Sequence, residues 1–321
     1  MFFRNSATRV VFVTSSIARP ISGGAEGSPF DLSDEQAYLA WRERKLAGVP
    51  RSIEELHVAI QDGYQLRRQE MNAVHNALQR ANFVIYTFKR TAGEDKAVVR
   101  QLGRQFGLER LDDNLCSDED RITSLKVVGR RREGEYIPYT NKRLNWHTDG
   151  YYNSPDRQIR GVILHCVRPA AVGGESVLMD HEIAYIQLRD ENPGYIRALM
   201  AADAMTIPPN VQNGKQIRPE QSGPVFSVSA DGYLHMRYSA RARNIVWKDD
   251  LTTQTAAEFL LNLFRQDSPY IFRHRLKSGQ GVLSNNVLHC RSSFEDDTAT
   301  GRARLLYRAR YFDRIVDPGS H

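Results

Sequence analysis

No stretch of this 321-residue chain comes near the roughly 18 to 20 consecutive apolar residues needed to cross a bilayer. The patch Val10-Val11-Phe12-Val13 is too short for the core of a secretory signal, so a soluble protein with no membrane partner is expected. Cysteine is scarce. Cys116, Cys166 and Cys290 are an odd number, widely spaced, with no C-x-x-C pair, which argues against a disulfide framework or a zinc knuckle and for a reducing cytoplasm. Internal repeats, low-complexity tracts and long linkers are also missing, so no second independent domain is expected. Charge of one sign is not concentrated either: the net +6 arises from 44 basic residues interleaved with 38 acids, and Arg130-Arg131-Arg132 is the one tight cluster. A small anionic substrate accounts for that excess as well as nucleic acid does, and nucleic acid is not expected as a partner. Residues 1 to 25 hold Arg4, Arg9 and Arg19 with no acid, among several Ser and Thr; this composition suits a mitochondrial transit segment as the alternative location.

What the chain has is apolar content, 41% hydrophobic, enough for one large domain over 1–321. Its first part, 1–110, reads as mixed α/β. Ser33 and Gln36 resemble a capping box opening a helix to Leu46, and Ser52 with Glu55 precedes a strand over Leu56 to Ile60. Met71, Val74 and Leu78 recur at helical spacing in 66–80, a strand follows over Phe83 to Thr87, and a helix from Ala97 to Phe106 stops at Gly107. From Ile122 the pattern changes to short strands: Ile122 to Val128, Gly161 to Val167, Glu175 to Met179, Phe226 to Val228, Tyr233 to Tyr238, Tyr270 to Leu276, Val282 to Ser284 and Arg304 to Phe312. Helices are expected at His181 to Leu188 and Thr252 to Arg265. The fold class is therefore α+β with a mainly β core over 120–315, a cupin-like jelly roll with flanking helices and a site in its mouth.

The chemistry centres on Asn145-Trp146-His147-Thr148-Asp149-Gly150. An imidazole and a carboxylate two residues apart on a strand share one face and reach one point. Two His and one carboxylate leave coordination positions open on non-haem Fe(II), so a third ligand must come from elsewhere. His289, at the end of the apolar run Gly281 to Leu288, is the candidate. Asp-Gly is also a common turn, and a surface turn is the alternative reading of His147 and Asp149. His57 and His75 are isolated and stay outside the site; His165, in an apolar strand, and His181, at a helix start, are not read as ligands either.

Taken together, His147-Thr148-Asp149-Gly150, Gly173-Gly174-Glu175-Ser176, Asn285 to Arg291 and Arg304-Leu305-Leu306-Tyr307-Arg308 resemble the Fe(II)/2-oxoglutarate dioxygenases of the taurine dioxygenase superfamily, with the motifs spanning about 120 to 312. The resemblance implies Fe(II), 2-oxoglutarate and O2 as cofactors, with His147, Asp149 and His289 as metal ligands and catalytic centre. It implies oxidative decarboxylation of 2-oxoglutarate to succinate and CO2, coupled to hydroxylation of an aliphatic carbon. Halogenating relatives replace the carboxylate with a small residue; Asp149 therefore favours hydroxylation, with desaturation and ring closure sharing the same chemistry.

Arg302, Arg304, Arg308 and Arg310 share strand parity, and four cations aimed at a core require anions. By the resemblance Arg304 anchors the far carboxylate of 2-oxoglutarate with Ser176, and Arg308 meets an anionic substrate. The segment Glu295 to Gly301 is longer than usual, which keeps Arg302 as an alternative anchor. Asn145, Tyr151, Tyr152 and Asn153 flank the ligand loop, Asn145 and Tyr151 being candidates for substrate contact. Arg237, Arg241 and Arg243 either recognise an anion or form a solvated face. A non-catalytic metal-binding or ligand-sensing jelly roll is the alternative function. Neither the prime substrate nor the oligomeric state is legible, a homo-oligomer being compatible.

Overall fold

A computed structural model describes residues 27–90, 93–113, 118–127, 137–241, 245–297, 299 and 303–316. The arginine-bearing stretch 1–25, Cys116, Arg130 to Arg132, Arg243 and Arg302 lie outside the described residues. Six α-helices are described: α1 (Glu35–Gly48), α2 (Arg68–Ala81), α3 (Ala97–Arg104), α4 (His181–Glu191), α5 (Pro193–Leu199) and α6 (Leu251–Leu263). The strands of the two principal sheets are β1 (His57–Ile60), β2 (Phe83–Phe88), β3 (Thr123–Leu125), β4 (Leu144–His147), β5 (Gly161–Arg168), β6 (Ser176–Met179), β7 (Phe272–His274), β8 (Gln280–Ser284), β9 (Leu288–Arg291) and β10 (Leu305–Tyr311). The larger sheet runs β1-β2-β8-β5-β10-β3 and the smaller β7-β6-β9-β4. β1 and β2 pair in parallel. The other neighbours in both sheets are antiparallel.

Side-chain alternation places two apolar clusters around these sheets. In one, Val74 and Leu78 of α2 and Val99 and Leu102 of α3 pack with Ile85, Ile163, Ala309 and Tyr311 of the larger sheet. In the other, Ile183 and Ile186 of α4, Leu199 of α5 and Leu260 of α6 pack with Val177, Met179, Leu288 and Cys290 of the smaller sheet. Residues of opposite parity, Val162 and Leu164 on β5, Val282 and Ser284 on β8, Ser176 and Leu178 on β6, His289 and Arg291 on β9, line a common cavity between the sheets. No helix among the described residues is long and apolar enough to cross a membrane.

Most expected elements stand within a residue or two of their observed limits, with some physical differences. α1 is capped by Asp34, whose Oδ1 accepts from the amide of Ala37 at 2.9 Å, rather than by Ser33. Ile53–Leu56 closes as a 3-10 turn, so the first strand begins at His57. Helix α5, started by Asn192 and Pro193, and several two- to four-residue strands between Met205 and Gly223 were not expected; segments so short show no period to read. Ordinary core contacts account for His75, set against Phe106, and His181, whose Nε2 lies 3.1 Å from the Leu234 carbonyl.

His165 on β5 is buried on the opposite face from the cavity, its Nδ1 3.1 Å from the Tyr86 hydroxyl and its ring stacked on that tyrosine. Burial pushes its pKa down to about 4. Below the ordinary pKa of about 6.5 the unfolded chain takes up a proton that the folded chain refuses, so stability falls as pH drops through this window. The shift corresponds to up to roughly 3 kcal/mol. Urea unfolding at pH 7, 5.5 and 4.5 should show this loss in the wild type and a shallower one in His165→Gln; equal slopes would show that His165 does not carry it.

Candidate active site

The sheets bring the three expected ligands together. His147 ends β4 and His289 lies on β9, and the two are paired residues in the strand register. Their rings stand 4.2 Å apart between centroids. Each imidazole is set the same way: Nδ1 of His147 donates to the Asn145 carbonyl at 2.8 Å, and Nδ1 of His289 donates to the Val287 carbonyl at 2.9 Å. A carbonyl can only accept, so the proton is on Nδ1 and the Nε2 lone pair of each ring is left free. His147 is buried, and desolvation, with His289 beside it, pushes its pKa down to about 3. Its imidazole is neutral at physiological pH.

Asp149 follows one residue after β4. Thr148 locks that step, its amide donating to the Tyr238 carbonyl and its hydroxyl accepting from the Tyr238 amide, each at 3.0 Å. Gly150 then turns the chain at φ +68°, and a Cβ there would sit 2.4 Å from Ile159, so the Asp-Gly turn is a buried requirement of the loop. Asn286 clamps the ligand residue from the other side. Its Oδ1 accepts from the Asp149 amide at 2.8 Å, and its Nδ2 donates to the carbonyls of Asp149 at 2.9 Å and Ile159 at 2.6 Å. The φ of 50° at Asn286 is one that asparagine tolerates better than most side chains.

The Asp149 carboxylate is buried, yet Arg308 and Arg310 hold it well below the ordinary range despite the cost of desolvation. Its Oδ1 accepts from Nη1 of Arg308 at 3.0 Å and lies 3.6 Å from Nη1 of Arg310. Its Oδ2 is buried, accepts no hydrogen bond, and stands 3.8 Å from Nε2 of His289. Among the described residues no group of three or more His, Cys, Asp or Glu side chains is already drawn together closely enough to hold a metal ion. The donor set nonetheless fits a divalent metal: two Nε2 lone pairs and one orphaned carboxylate oxygen converge, their other atoms tied to backbone or guanidinium.

The cavity beside these residues encloses about 60 Å³. Its polar end is formed by Ser176, Arg291 and Arg304 and its walls by Leu125, Leu164, Leu178 and Val282. Gly173 and Gly174, at φ +71° and +73°, let the chain before Ser176 press on the next segment; a Cβ on Gly173 would meet the Ser293 carbonyl at 2.3 Å. Arg304 is buried, rests on the Phe294 ring at 4.9 Å, and its guanidinium donates to no described residue. Burial pushes it down to about 10. Arg291 lies close by, its Nη2 donating to the carbonyls of Thr140 and Lys142, and burial together with Arg304 pushes it down to about 9. Two adjacent buried guanidiniums without a carboxylate form a ready receptor for an anion.

Other expected site residues fall in different places. Tyr151 is half-buried with its ring edge-on to His147, 6.4 Å between centroids. The Asn145 side chain is exposed, and it is the carbonyl of this residue that serves His147. Arg308, expected to meet an anionic substrate, bonds the Asp149 carboxylate, although its Nε is buried without a partner. Arg237 is spent on the carbonyls of Tyr151, Met205, Gly223 and Gln221, at 2.8 to 3.2 Å, and so supports a loop rather than a ligand. Sequence reasoning assigned no role to Asn286 or Arg291; the parity of Arg291 with His289 on one strand was the available signal. It also missed the ties of Arg310, which bonds Asp112 and, at 2.8 Å, the Tyr152 hydroxyl.

Comparison with known proteins agrees in family. The model described as "Taurine catabolism dioxygenase TauD, TfdA family" matches residues 44–310. A uridine-5'-phosphate dioxygenase of Streptomyces sp is 29% identical over 213 residues, covering 64% of this chain and 74% of its own. A uridine-5'-phosphate dioxygenase of Amycolatopsis sp is 29% identical over 169 residues, covering 50% of this chain and 60% of its own. Among solved structures, the non-heme iron oxygenase OrfP in complex with Fe and alpha-ketoglutaric acid superposes with a TM-score of 0.56 at 15% identity, over 78% of this chain and 81% of that one; at that identity the likeness is one of fold.

Replacing Asn286 with Ala removes the clamp without touching a ligand atom. Outer partners of metal ligands are worth about 10- to 100-fold in metal affinity, so anaerobic Fe(II) titration of Asn286→Ala should show weakening in that range. Unchanged affinity would show that Asp149 is positioned without it.

Proposed function

From the membership of this chain in the taurine catabolism dioxygenase TauD, TfdA family, we infer the reaction of its site: an Fe(II)- and 2-oxoglutarate-dependent oxygenation of a small anionic molecule. The enzyme is an oxidoreductase of the dioxygenase class. The observation that carries the site assignment is the convergence of two Nε2 lone pairs and the orphaned Asp149 Oδ2 beside a buried arginine that has no anion. We read the two facing sheets as the halves of a jelly roll.

His147, Asp149 and His289 would hold Fe(II), and Arg304 with Ser176 the far carboxylate of 2-oxoglutarate, Arg291 adding charge beside them. Arg302, the alternative anchor, lies outside the described residues. Bound iron supplies the activation of O2, with substrate C–H, 2-oxoglutarate and O2 converted to substrate C–OH, succinate and CO2. The protein's own part is geometric and electrostatic. The backbone carbonyls fix which nitrogen of each imidazole is free, Arg308 and Arg310 keep Asp149 ionised, and the apolar walls hold the methylenes of the cosubstrate away from water.

The prime substrate is placed on the opposite side of the ligands, bordered by Tyr151 and Asn145, its anionic group meeting the remaining donors of Arg308. The curated relatives named as uridine-5'-phosphate dioxygenases make a phosphate monoester the first substrate to try, with uridine 5'-monophosphate as the probe.

Two measurements test this reading. Anaerobic Fe(II) with 2-oxoglutarate should give a weak visible charge-transfer band in the wild type that is lost in His147→Ala; an iron-loaded protein without the band would refute the assignment. Charge-assisted hydrogen bonds are worth about 1.5 to 3 kcal/mol. Arg304→Ala should therefore raise the KM for 2-oxoglutarate by roughly ten- to a hundred-fold, while Arg308→Gln raises the substrate KM more than the cosubstrate KM. A weakened Fe(II) affinity with unaltered substrate KM in Arg308→Gln would reassign that arginine to Asp149 alone.

A further inference from the structure

A cavity of about 230 Å³, larger than the one beside the ligands, lies on the other side of the Asn285-Asn286 pair. It is bounded by the strands Phe226–Val228 and Leu234–Met236 with the turn between them, by Arg160, and by the segment Phe312 to Val316 that follows β10. Asn285 forms part of its wall, and its neighbour Asn286 is the clamp on Asp149. The two cavities thus share a partition but no functional residue.

The cations of this second cavity are only partly offset by carboxylates among the described residues. Arg314 stacks on the Tyr233 ring at 4.3 Å and donates through Nη2 to Asn82 Oδ1 at 2.9 Å, while its Nε is buried without a partner. Arg160 makes no side-chain hydrogen bond or ion pair with a described residue, though it is near enough to Arg314 for each to feel the other's charge. His235, on the same cavity wall, is pushed down to about 3 by burial with His181, Arg160 and Arg314 nearby. Of the two acids that line the cavity, Asp313 is committed, accepting from the amides of Glu109 and Arg110 and from Nε of Arg110, while Glu182 and Asp180, outside the lining, offset part of the charge of Arg314. Asp231 sits exposed on the turn. Two neighbouring guanidiniums on one cavity wall, one with an orphaned buried donor, repel each other, and an anion between them would relieve that repulsion.

We propose that this cavity binds a small oxyanion of the phosphate or carboxylate class, at a site separate from the iron and 2-oxoglutarate pocket. Its volume lies below the usual 300 to 1,000 Å³ of pockets that enclose drug-sized ligands, so the recognised group is a free oxyanion rather than a whole nucleotide. Arg160 and Arg314 supply the charge-assisted bonds, and Asp231 at the rim opposes entry. The assignment does not depend on the reaction inferred above.

Inorganic phosphate is the probe, titrated calorimetrically into the metal-free full chain at constant ionic strength kept with chloride. The expected result is saturable binding that Arg160→Gln weakens about tenfold or more and that Arg304→Gln, in the other pocket, leaves intact. Asp231→Asn, on an exposed turn where folding is not at risk, should tighten binding by about two- to fivefold. Absence of saturation in the wild type, equal affinity in a folded Arg160→Gln, or loss of binding in Arg304→Gln would overturn the proposal. Should Arg160→Gln fail to fold, Asp231→Asn decides it alone, tightening in favour and unchanged affinity against.

Discussion

An ionised carboxylate kept out of water must be compensated on the spot, and the centre of this structure is arranged around that need at Asp149. Removing one partner from a buried ion pair typically costs about 3 to 5 kcal/mol, so the cations facing Asp149 are as much a part of the fold as of the chemistry. They come from the inner face of β10. Arg308 bonds the carboxylate directly, and Arg310 approaches it while bonding Asp112 and Tyr152. Arg304, four residues before Arg308, has no side-chain ion pair among the described residues and rests on the Phe294 ring, with Asp296 bonding its backbone amide. β10 and the residue just before it therefore carry both the cations that compensate Asp149 and the buried guanidinium beside Ser176.

Neutral groups around the ligands are equally constrained. The carbonyls of Asn145 and Val287 each come from two residues before the imidazole they orient, so the same local strand geometry presents both Nε2 atoms without any second charged residue. Glycine and asparagine supply the turns that this arrangement demands: Gly150 behind the carboxylate, Gly173 and Gly174 below Ser176, and Asn286 in a left-handed conformation against the Asp149 backbone. A side chain at Gly150 or Gly173 would collide with Ile159 or with the Ser293 carbonyl, and at Gly174 the positive φ is what favours glycine.

Much of this was legible because it lies in periods and short spacings. The His147/Asp149 pair, the alternation of arginines on β10 and the helical spacing in α2 each report a face directly. The partners of those residues were less readable. That Arg308 would meet Asp149, Arg310 meet Asp112, or Arg237 be consumed by four carbonyls depends on loops crossing at distances no local pattern encodes. Asn286 and Arg291 stood in plain sight beside His289, but their roles follow from which strand faces which, and that is settled by sheet order. The three- and four-residue strands between Met205 and Gly223 are too short for either period to emerge.

The order of strands in the larger sheet has a consequence for how the chain comes off the ribosome. β2 finds its antiparallel neighbour in β8, and β5 is flanked by β8 and β10, so strands made early wait for partners made late. Local pairing cannot satisfy them in the meantime, and such long-range topologies fold slowly and expose unpaired edges while they do. Because β10 also brings the arginines, a nascent chain that has yet to emit its last strand has neither a closed sheet nor a compensated Asp149. Compensation of the Asp149 charge is thus deferred until β10 has been made.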